Sequence, residues 1–249
     1  MDVACKPSTT GGQALSLFAG IDAFRDMDPS ERDRLERAST VLRPRDGSEL
    51  FSQGDPADSV YAIVGGDGHV RIGAADQRSK TLMVEMYQQG DIFGEIGVID
   101  GGTRTAGAMV EGRVRLARIP ASSFLAALSG SLGLGHVMCH MLARRLRRTF
   151  TLLQDASFET LEVRFARQVL YLAEQSGRPT EHGVRLTHRL RQGDLADLLG
   201  ATTRSIITIL NAWRAAGVVI YDTDRALLTV CDPAALRGLL KTGHKRIDR

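Results

Sequence analysis

The chain has 249 residues, a formal net charge of +3, and 43% hydrophobic and 24% charged residues. This composition is that of an ordinary globular protein, and the length predicts one large domain or two smaller ones. So small a net charge does not by itself indicate a nucleic-acid-binding protein, but the basic residues are concentrated in three segments, residues 144–148, 188–191 and 241–249.

The cysteine and hydropathy patterns indicate in which cellular compartment the protein is expected. The three cysteines, Cys5, Cys139 and Cys231, are odd in number and widely separated, which argues against a disulfide framework or a zinc site. The sequence contains no apolar run of membrane-spanning length, and its N-terminus lacks the apolar core of a signal peptide. We therefore expect a protein of the reducing cytoplasm that has no membrane partner.

The N-terminal segment predicts a tail followed by two helices. Residues 1–14 are rich in Gly, Ser and Thr and predict a flexible tail. A helical pattern begins at Leu15, and a second helix follows Asp28, which can cap it, with Pro29 at the first helical position. Both helices are expected to lead into a domain of residues 15–130.

From residue 41 to residue 120 the pattern changes to short runs of β-branched and apolar residues separated by glycine turns. Many short strands at intervals of about 8 to 12 residues predict a sandwich or a jelly-roll barrel. The predicted strands are residues 49–51, 60–64, 69–72, 82–87 and 114–119.

A glycine-rich loop at residues 93–106 combines a carboxylate, a guanidinium and hydroxyl groups between apolar segments. Backbone N–H groups of such a loop can approach an anion closely, and the Arg104 side chain offers a planar pair of donors for two phosphate oxygens. The Glu95 carboxylate would repel a phosphate, so its expected partners are hydroxyl groups such as those of a ribose. A ligand that carries both groups is a nucleotide.

The order Phe-Gly-Glu-Ile, a glycine-containing insert and Arg-Thr-Ala in this loop resembles the phosphate-binding cassette of cyclic-nucleotide-binding domains. The resemblance implies that Arg104 and Thr105 bind the cyclic phosphate, with Gly94 close to it, and that Glu95 binds the ribose. The effector would be cAMP, favoured by its frequency among such proteins, or cGMP, because a threonine after the cassette arginine occurs in receptors for both; no metal is expected. The implied cyclic-nucleotide-binding residues are Gly94, Glu95, Ile96, Arg104, Thr105, Ala106 and, from the long helix that follows, Thr149.

A short helix is predicted from residue 120, and a long one from about residue 131. Two apolar stripes run along the long helix, and two stripes imply two neighbours. One stripe, suited to covering the β-domain, consists of Met138, Met141 and Leu152. The other has alternating spacings of four and three, the pattern of a coiled-coil seam, and consists of Leu142, Leu146, Thr149, Leu153 and Ala156.

The last third of the chain predicts a winged helix. An amphipathic helix covers residues 159–174, ends at residues 176–179, and is followed by a short strand at residues 183–187. Residues 194–199 and a helix that begins at Thr202 are separated by a Gly-Ala turn, which is the pattern of a helix-turn-helix. Two further short strands around a polar turn predict the wing.

Cassette and helix-turn-helix together make residues 17–240 resemble bacterial transcription regulators of the Crp-Fnr family. The resemblance implies an α+β fold with an N-terminal β-roll, a long dimerisation helix at residues 131–157 and a C-terminal winged helix-turn-helix at residues 158–240. It also implies a homodimer joined through the long helix, in which Thr149 reaches the base of the nucleotide across the interface. A further partner that the resemblance implies is RNA polymerase. The alternative for Thr149 is a seam residue that only fixes the register of the paired helices.

The second helix of a helix-turn-helix presents its N-terminal residues to the major groove of double-stranded DNA. Here those residues are Thr202, Thr203, Arg204, Ser205 and Thr208. Arg204 is the only long donor among them, and it is expected to contact a guanine, with a phosphate contact as the alternative. Many members of the family have an Arg-Glu pair near the start of this helix, which this sequence lacks, so their target sequence is not implied. A homodimer is expected to bind two half-sites of a pseudo-palindrome roughly 34 Å apart.

Two other functional classes remain open. In one, the cassette is a structural relic in a regulator that senses haem or redox state or binds DNA constitutively; candidate haem ligands are His69, His136 and His140, whereas iron–sulfur sensing requires about four clustered cysteines. An enzyme is not favoured, because no Walker loop, dinucleotide fingerprint, zinc-binding His pair or nucleophile elbow is present. The basic run at residues 144–148 is interpreted as a solvated face beside the seam.

Overall fold

The computed structural model describes residues 16–75 and 81–243. The predicted tail, Cys5 and most of the basic C-terminal segment lie outside the described residues. The chain enters through a 3-10 helix at Asp22–Phe24 and then α1 (Pro29–Ala38), where the Asp28 side chain accepts a hydrogen bond from the Ser30 N–H as predicted for a cap.

The helix predicted to begin at Leu15 is wrong. Residues 17–20 form turns before the short 3-10 helix. Instead of pairing within a helix, the Phe18 N–H donates to the Glu36 carboxylate of α1 at 3.1 Å. The apolar residues that suggested the helix, including Phe18, Ile21 and Phe24, are nevertheless buried.

The N-terminal domain is a jelly roll of two four-stranded antiparallel sheets, ordered β1-β8-β3-β6 and β2-β7-β4-β5. Its strands are β1 (Thr40–Leu42), β2 (Glu49–Phe51), β3 (Ser59–Gly66), β4 (His69–Ala75), β5 (Thr81–Tyr87), β6 (Ile92–Phe93), β7 (Gly107–Glu111) and β8 (Val114–Pro120). The predicted β fold is therefore confirmed, although β1, β6 and β7 were not predicted because they are short and lack a distinct pattern of their own.

Strand β3 lies at the centre of this domain and is buried on both faces. Tyr61 and Ile63 point into the core between the two sheets, whereas Val60 and Ala62 belong to a second core that the helices cover. This two-sided burial explains why β3 reads in the sequence as a continuous apolar run instead of an alternating one.

Part of the glycine-rich loop is helical. Helix α2 (Glu95–Asp100) begins after Gly94 and ends before Gly101, and both glycines have positive φ, +77° and +73°. These left-handed positions turn the chain sharply at each end of the helix, and glycine adopts them with little strain. Glu95 consequently stands at the first position of a helix and not in an open loop.

Two helices, α3 (Ala121–Gly130) and α4 (Leu132–Phe158), follow the jelly roll. The Ser131 side chain caps α4 by accepting from the Leu134 N–H at 3.2 Å. Among the described residues no single helix is long and apolar enough to cross a membrane; α3 and α4 pass that test only as a pair, bent by 108°.

The two predicted stripes of α4 have different environments. Met138 is 2% exposed against the N-terminal domain, whereas Leu146 and Leu153 of the predicted seam are 57% and 62% exposed. The seam therefore has no partner within the described chain.

The C-terminal domain combines four helices with a four-stranded antiparallel sheet, ordered β11-β12-β10-β9. Its elements are α5 (Leu161–Ser176), β9 (Gly177–Thr180), β10 (Gly183–Leu186), α6 (Gln192–Leu199), α7 (Thr203–Ala215), β11 (Val219–Asp222), β12 (Leu227–Val230) and α8 (Pro233–Gly243). The predicted winged helix-turn-helix is confirmed. Two elements were missed: β9, which occupies the segment interpreted as a helix stop, and α8, whose buried Leu236 packs in the core of the domain.

The two domains contact each other through strand β5. Met83 of β5 is 4% exposed and lies in the hydrophobic core of the C-terminal domain. An ion pair adds to this contact, because the Arg71 Nη1 of β4 lies 3.2 Å from the Asp194 Oδ1 of α6. Helix α6, the first helix of the helix-turn-helix, is thus docked on the edge of the jelly roll.

Candidate ligand pocket and nucleic-acid interface

All six predicted cassette residues line one open cavity, whose empty volume, together with the solvent at its mouth, is about 370 Å³. The cavity lies between the N-terminal turn of α2, the segment before β7, and α4. Its lining residues are Phe51, Ile72, Tyr87, Phe93, Gly94, Glu95, Ile96, Gly97, Arg104, Thr105, Ala106 and Arg145. The cavity thus joins an aromatic wall to a carboxylate and two guanidinium groups.

Arg104 is fixed inside this cavity. Its side chain is 2% exposed, and its guanidinium donates to the Gly94 carbonyl at 2.7 Å and to the Ser59 hydroxyl at 3.2 Å. The guanidinium also lies 4.2 Å from the ring centroid of Phe51, and burial lowers the pKa of Arg104 from its usual value.

The Nε atom of Arg104 is buried without a hydrogen-bond partner among the described residues. A buried donor that lacks an acceptor costs about 1–3 kcal/mol. An anion that enters the cavity and supplies an acceptor would recover this free energy.

Glu95 is the acidic side of the cavity, and it is paired. It is 1% exposed, and the Arg145 Nη1 of α4 donates to its Oε1 at 2.5 Å. The Arg145 Nη2 donates to the Ile92 carbonyl at 2.6 Å, and the guanidinium lies 4.5 Å from the ring centroid of Tyr87. Burial lowers the pKa of Arg145, but Glu95, Tyr87 and Asp91 together outweigh that effect, so the pKa stands above its usual value.

The structure corrects the interpretation of residues 144–148 as a solvated face. Arg144 and Arg147 are exposed, but the side chains of Arg145 and Arg148 are only 22% and 17% exposed and point inward. The sequence carries a signal for this difference, because positions 145 and 148 continue the inward stripe of Met138, Met141 and Leu152 at spacings of three and four.

Thr149 does not line the cavity. Its side chain is exposed on the seam face of α4, and its hydroxyl donates to the Arg145 carbonyl at 3.0 Å. Within one chain, Thr149 is therefore separated from the six cassette residues.

Arg148 connects α4 to both domains. Its Nε donates to the Glu85 carboxylate of β5 at 3.0 Å, and its Nη2 donates to the Gln168 side chain of α5 at 3.2 Å. Its guanidinium also lies 3.4 Å from the ring centroid of Tyr171. Burial raises the pKa of Glu85 even though Arg148 opposes that shift.

The predicted DNA-contacting residues lie at the N-terminus of α7. The Thr202 hydroxyl accepts from the Ser205 N–H at 3.2 Å and caps the helix. Thr203, Arg204 and Thr208 are exposed, whereas the opposite face of α7 is buried in the domain core. Among the described elements of the helix-turn-helix, α6 makes the main contact with β5 of the N-terminal domain.

The candidate haem ligands lie in two separate places. His69 is buried, with its Nε2 2.9 Å from the Glu111 carboxylate, whereas the His136 and His140 rings lie 4.5 Å apart on α4. Within residues 16–75 and 81–243, no three His, Cys, Asp or Glu side chains converge as a set that could hold a metal ion.

Comparison with protein-family models gives two matches. The cyclic nucleotide-binding domain matches residues 42–131, which include most of the jelly roll and every cavity residue except Arg145. The Crp-like helix-turn-helix domain matches residues 163–239, which include α6 and α7.

Two relatives from bacteria match most of this chain. The chain is 29% identical to a CRP-like cAMP-activated global transcriptional regulator of Mycobacterium tuberculosis, over 89% of this chain and 98% of the relative. It is 28% identical to the cyclic AMP receptor protein of Thermus thermophilus, over 80% of this chain and 88% of the relative.

Solved structures share the fold at lower identity. FixK2 from Bradyrhizobium japonicum has a TM-score of 0.70 at 19% identity and covers 81% of this chain and 96% of its own. CLP from Xanthomonas campestris, a c-di-GMP responsive global regulator, has a TM-score of 0.70 at 21% identity and covers 82% of this chain and 100% of its own.

Proposed function

Because the chain belongs to the Crp-Fnr family of transcription regulators, we propose that it is a homodimeric DNA-binding regulator controlled by a cyclic nucleotide. The observation that carries this proposal is the cavity in which buried Glu95 and buried Arg104 face one space. A carboxylate and a guanidinium that line one cavity match a ligand that carries both hydroxyl groups and a phosphate.

The polar groups of the cavity give the ligand one orientation. Arg104 donates to the cyclic phosphate, and the exposed hydroxyl of Thr105 and the turn at Gly94 lie on the same side. Glu95 accepts from the ribose hydroxyl, while Arg145 pairs with the carboxylate and holds it in place. The aromatic wall formed by Phe51, Tyr87 and Phe93 provides apolar contact for the rest of the molecule.

The favoured effector is cAMP, with cGMP as the rival. Two relatives with 29% and 28% identity are described as a cAMP-activated regulator and a cyclic AMP receptor protein, which supports cAMP. Thr105 suits either nucleotide, so selectivity between them depends on contacts with the base.

Dimerisation through α4 explains the exposed seam. Leu146 and Leu153 would be buried against the same residues of a second copy, which removes apolar surface from water. Thr149, at a seam position of the same helix, would lie at the interface, where it contacts the base or fixes the register of the helices.

The DNA contact belongs to α7. With Thr202, Thr203 and Ser205 near phosphates and Arg204 and Thr208 in the major groove, a dimer would read two half-sites of a pseudo-palindrome roughly 34 Å apart. As a regulator of transcription the protein would act in the cytoplasm and meet RNA polymerase at the promoter.

The coupling between ligand and DNA passes through α4. Arg145 of this helix binds Glu95 in the cavity, and Arg148, less than one turn later, holds α5 of the DNA-binding domain. A ligand that pulls Glu95 toward its ribose changes the partners of Arg145 and therefore favours one position of α4 over another. Such a ligand shifts the population of domain arrangements only as far as its affinities for them differ.

Calorimetric titration with cAMP and with cGMP tests the proposal. We expect saturable binding of at least one nucleotide to the wild-type protein and its loss in Arg104→Ala, because the phosphate then loses the guanidinium that binds it, while Arg145 stays paired with Glu95. The matched control is Arg113→Ala, which removes an arginine that is 88% exposed on the same domain and should leave binding unchanged.

Two results would contradict the proposal. Wild-type protein that binds neither nucleotide would make the cassette a relic and would favour a regulator of another signal or constitutive DNA binding. Nucleotide binding that survives in Arg104→Ala would place the ligand elsewhere.

A further inference from the structure

Helix α4 carries three metal-ligating side chains on one side of its first turns. His136, Cys139 and His140 are all exposed, and spacings of three and four place them beside one another on the helix surface. The rings of His136 and His140 lie 4.5 Å apart between centroids, and a histidine pair at this spacing is a known zinc-binding arrangement. Val137 stands where a zinc protease has its glutamate, so the arrangement suits binding and not hydrolysis.

One subunit does not complete a metal site with these side chains. Within the described residues, no three His, Cys, Asp or Glu side chains converge on one point, whereas a structural Zn²⁺ site takes four thiolate or imidazole ligands in a tetrahedron. The remaining ligands therefore have to come from a second molecule.

The heptad pattern of α4 places two of the three side chains at the proposed dimer interface. Leu142, Leu146, Thr149 and Leu153 set the register, and continued toward the N-terminus it puts Cys139 at position a, Gly135 at position d and His136 at the flanking position e. In a parallel pair, an a residue faces its own counterpart, and the d layer lies beside the partner's a and e residues. Two Cys139 thiols therefore face each other, and one His136 from each subunit flanks the Gly135 layer.

Gly135 provides the room between these side chains. A glycine inside a helix costs about 0.5–1 kcal/mol relative to alanine. At Gly133 the reason for a glycine is visible, because a Cβ there would lie 3.1 Å from the Asp26 carbonyl oxygen. A Cβ at Gly135 would meet nothing within 4 Å in the described chain. In the dimer, however, Gly135 keeps side chains away from the two-fold axis next to Cys139.

We propose that the dimer binds one Zn²⁺ ion on its two-fold axis, with His136 and Cys139 of each subunit as the four ligands. His140, at position b, is turned away from the seam, and its ring supports the ring of His136 from the side. The inference rests on the dimer of the proposed function but not on the nucleotide. Three scattered cysteines cannot form a zinc site within one chain, whereas a two-fold axis supplies each ligand twice.

The chemistry of the ligand set selects Zn²⁺ and ties it to the dimer. Thiolate and imidazole together suit Zn²⁺ better than Mg²⁺ or Ca²⁺, which take oxygen ligands. Binding releases the two thiol protons, and the two thiolates balance the charge of the metal. Because half of the ligands belong to each subunit, the metal stabilises the dimer and not the single chain.

The first test measures the binding of Zn²⁺ alone to the reduced, chelator-treated full-length protein by calorimetric titration. We expect one ion per dimer. Co²⁺ in its place should give the intense visible absorption of a tetrahedral site and the near-ultraviolet charge-transfer band of a bound thiolate. His140→Gln should keep one ion per dimer, whereas a site made by the His136 and His140 pair of one chain would lose its metal.

Four further variants locate the ligands. Cys139→Ser and His136→Gln should each abolish tight binding and the tetrahedral Co²⁺ spectrum. The matched controls are Cys231→Ser, a half-buried cysteine of the other domain, and His182→Gln, whose side chain is 66% exposed. Both should bind Zn²⁺ as the wild type does, and circular dichroism should show the same helix content in all variants.

The second test measures the dimer by sedimentation equilibrium with and without Zn²⁺. The dissociation constant of the wild-type dimer should fall at least ~10-fold when Zn²⁺ is present, and that of Cys139→Ser should not change. A shift of the same size in Cys139→Ser would show that Zn²⁺ acts elsewhere.

The outcomes separate this inference from the proposed function. If the wild-type protein is monomeric with and without Zn²⁺, the proposed dimer fails and the metal site fails with it. If the protein is a dimer that binds no Zn²⁺, binds two ions, or still binds one in Cys139→Ser, the metal site is wrong and the proposed function is unaffected.

Discussion

At the scale of single residues, the cavity depends on the close approach of Gly94 and Arg104. A Cβ atom at Gly94 would lie 2.7 Å from the Arg104 Nη1, whereas a Cβ at Gly101, which has a similar positive φ, would meet nothing within 4 Å. Both glycines flank helix α2. Gly101 contributes only to the backbone turn, whereas Gly94 also affects the position of the Arg104 guanidinium.

We expect Gly94→Ala and Gly101→Ala to differ in ligand affinity and not mainly in stability. Each substitution should lower the free energy of unfolding by about 1 kcal/mol, since alanine is strained in the left-handed region. Gly94→Ala should also displace Arg104 and weaken cyclic-nucleotide binding at least ~10-fold, because a cavity contact made by a fixed arginine depends on its position. Denaturant unfolding and calorimetric titration measure the two effects, and equal affinities in the two variants would refute the assigned role of Gly94.

The residues of the cavity differ in how far the sequence reveals them. Gly94, Glu95 and Arg104 stand close together in a motif whose chemistry can be read directly from residue types. Arg145 comes from a helix about fifty residues away, and no local pattern states that it pairs with Glu95. The apolar stripe of α4 that continues through position 145 can be seen in the sequence. The basic run at residues 144–148, however, is more readily interpreted as solvated surface.

At the scale of elements, the exposed seam of α4 is the feature with the clearest consequence. We expect the double variant Leu146→Glu, Leu153→Glu to be a folded monomer, because both side chains are exposed in the single chain and only a second subunit would bury them. The dissociation constant of the dimer should rise at least ~100-fold, since each subunit loses the burial of two leucines and brings like charges together. Sedimentation equilibrium measures the change.

The matched control is Gln154→Glu, which adds the same charge at an exposed position of α4 beside the seam. It should leave the dimer intact, and circular dichroism should show the same helix content in all variants. A dimer that persists in the seam variant would mean that another surface joins the subunits.

Helices and strands were predicted well where the spacing of apolar residues and the capping or turn residues indicate the same element. They were predicted poorly where the element is short. The spacing in α4, the cap of α1 and the glycine turn between α6 and α7 are local signals that tertiary contacts leave intact. Helix α2 was missed because six residues between glycines carry no period, and β9 was missed because its pairing with β10 is a tertiary fact. The false helix at residue 15 shows the reverse error, in which buried apolar residues follow helical spacing without forming a helix.

At the scale of the whole molecule, a histidine pair lies in the contact between the two domains. His188, which precedes α6, is 9% exposed, and its ring meets the ring of His69 of β4 edge-on at 4.6 Å between centroids. Its Nδ1 lies 3.0 Å from the Ser176 hydroxyl. Burial, and then the neighbouring His69, lower the pKa of His188 to about 4.

This lowered pKa makes the docking of the domains sensitive to acid. His188 is neutral in the docked state, and its pKa rises toward 6.5 when the domains separate. Below pH 6.5, His188 therefore binds a proton in the separated state that it does not bind in the docked state. The free energy that favours docking falls by up to about 3 kcal/mol between pH 6.5 and pH 4. Above pH 7 this contribution is constant.

Small-angle scattering of the ligand-free protein between pH 7.5 and 5.5 measures the expected increase in the radius of gyration. His188→Gln is the control, because it keeps a polar side chain beside Ser176 but cannot take up the proton. The neighbouring carboxylate of Glu111 stays charged in this range, because the hydrogen bond from His69 lowers its pKa. The same pH dependence in His188→Gln would show that His188 is not responsible.

The arrangement of the domains was the part of the molecule least accessible from sequence. The two domain types follow from their motifs, but other contacts follow from packing between separate elements. Met83 is buried in the core of the other domain, among residues about eighty or more positions away, and Arg148 contacts residues 63 and 20 positions away. In the sequence, such a contact corresponds to a single apolar residue or a single arginine. Either one is compatible with many other arrangements of the domains.

Helix α4 also restricts how the length of this protein can change. Arg145 faces the cavity, Leu146 lies on the exposed seam through which we propose dimerisation, and Arg148 contacts the C-terminal domain, so residues 145–148 serve three separate contacts. One inserted or deleted residue would rotate everything beyond it by about 100°, and a change of about seven residues is the smallest that would nearly restore the faces, with a displacement of about 10 Å. Surface loops of this fold can lengthen freely, whereas the residue count between cavity and DNA-binding domain is held constant by geometry.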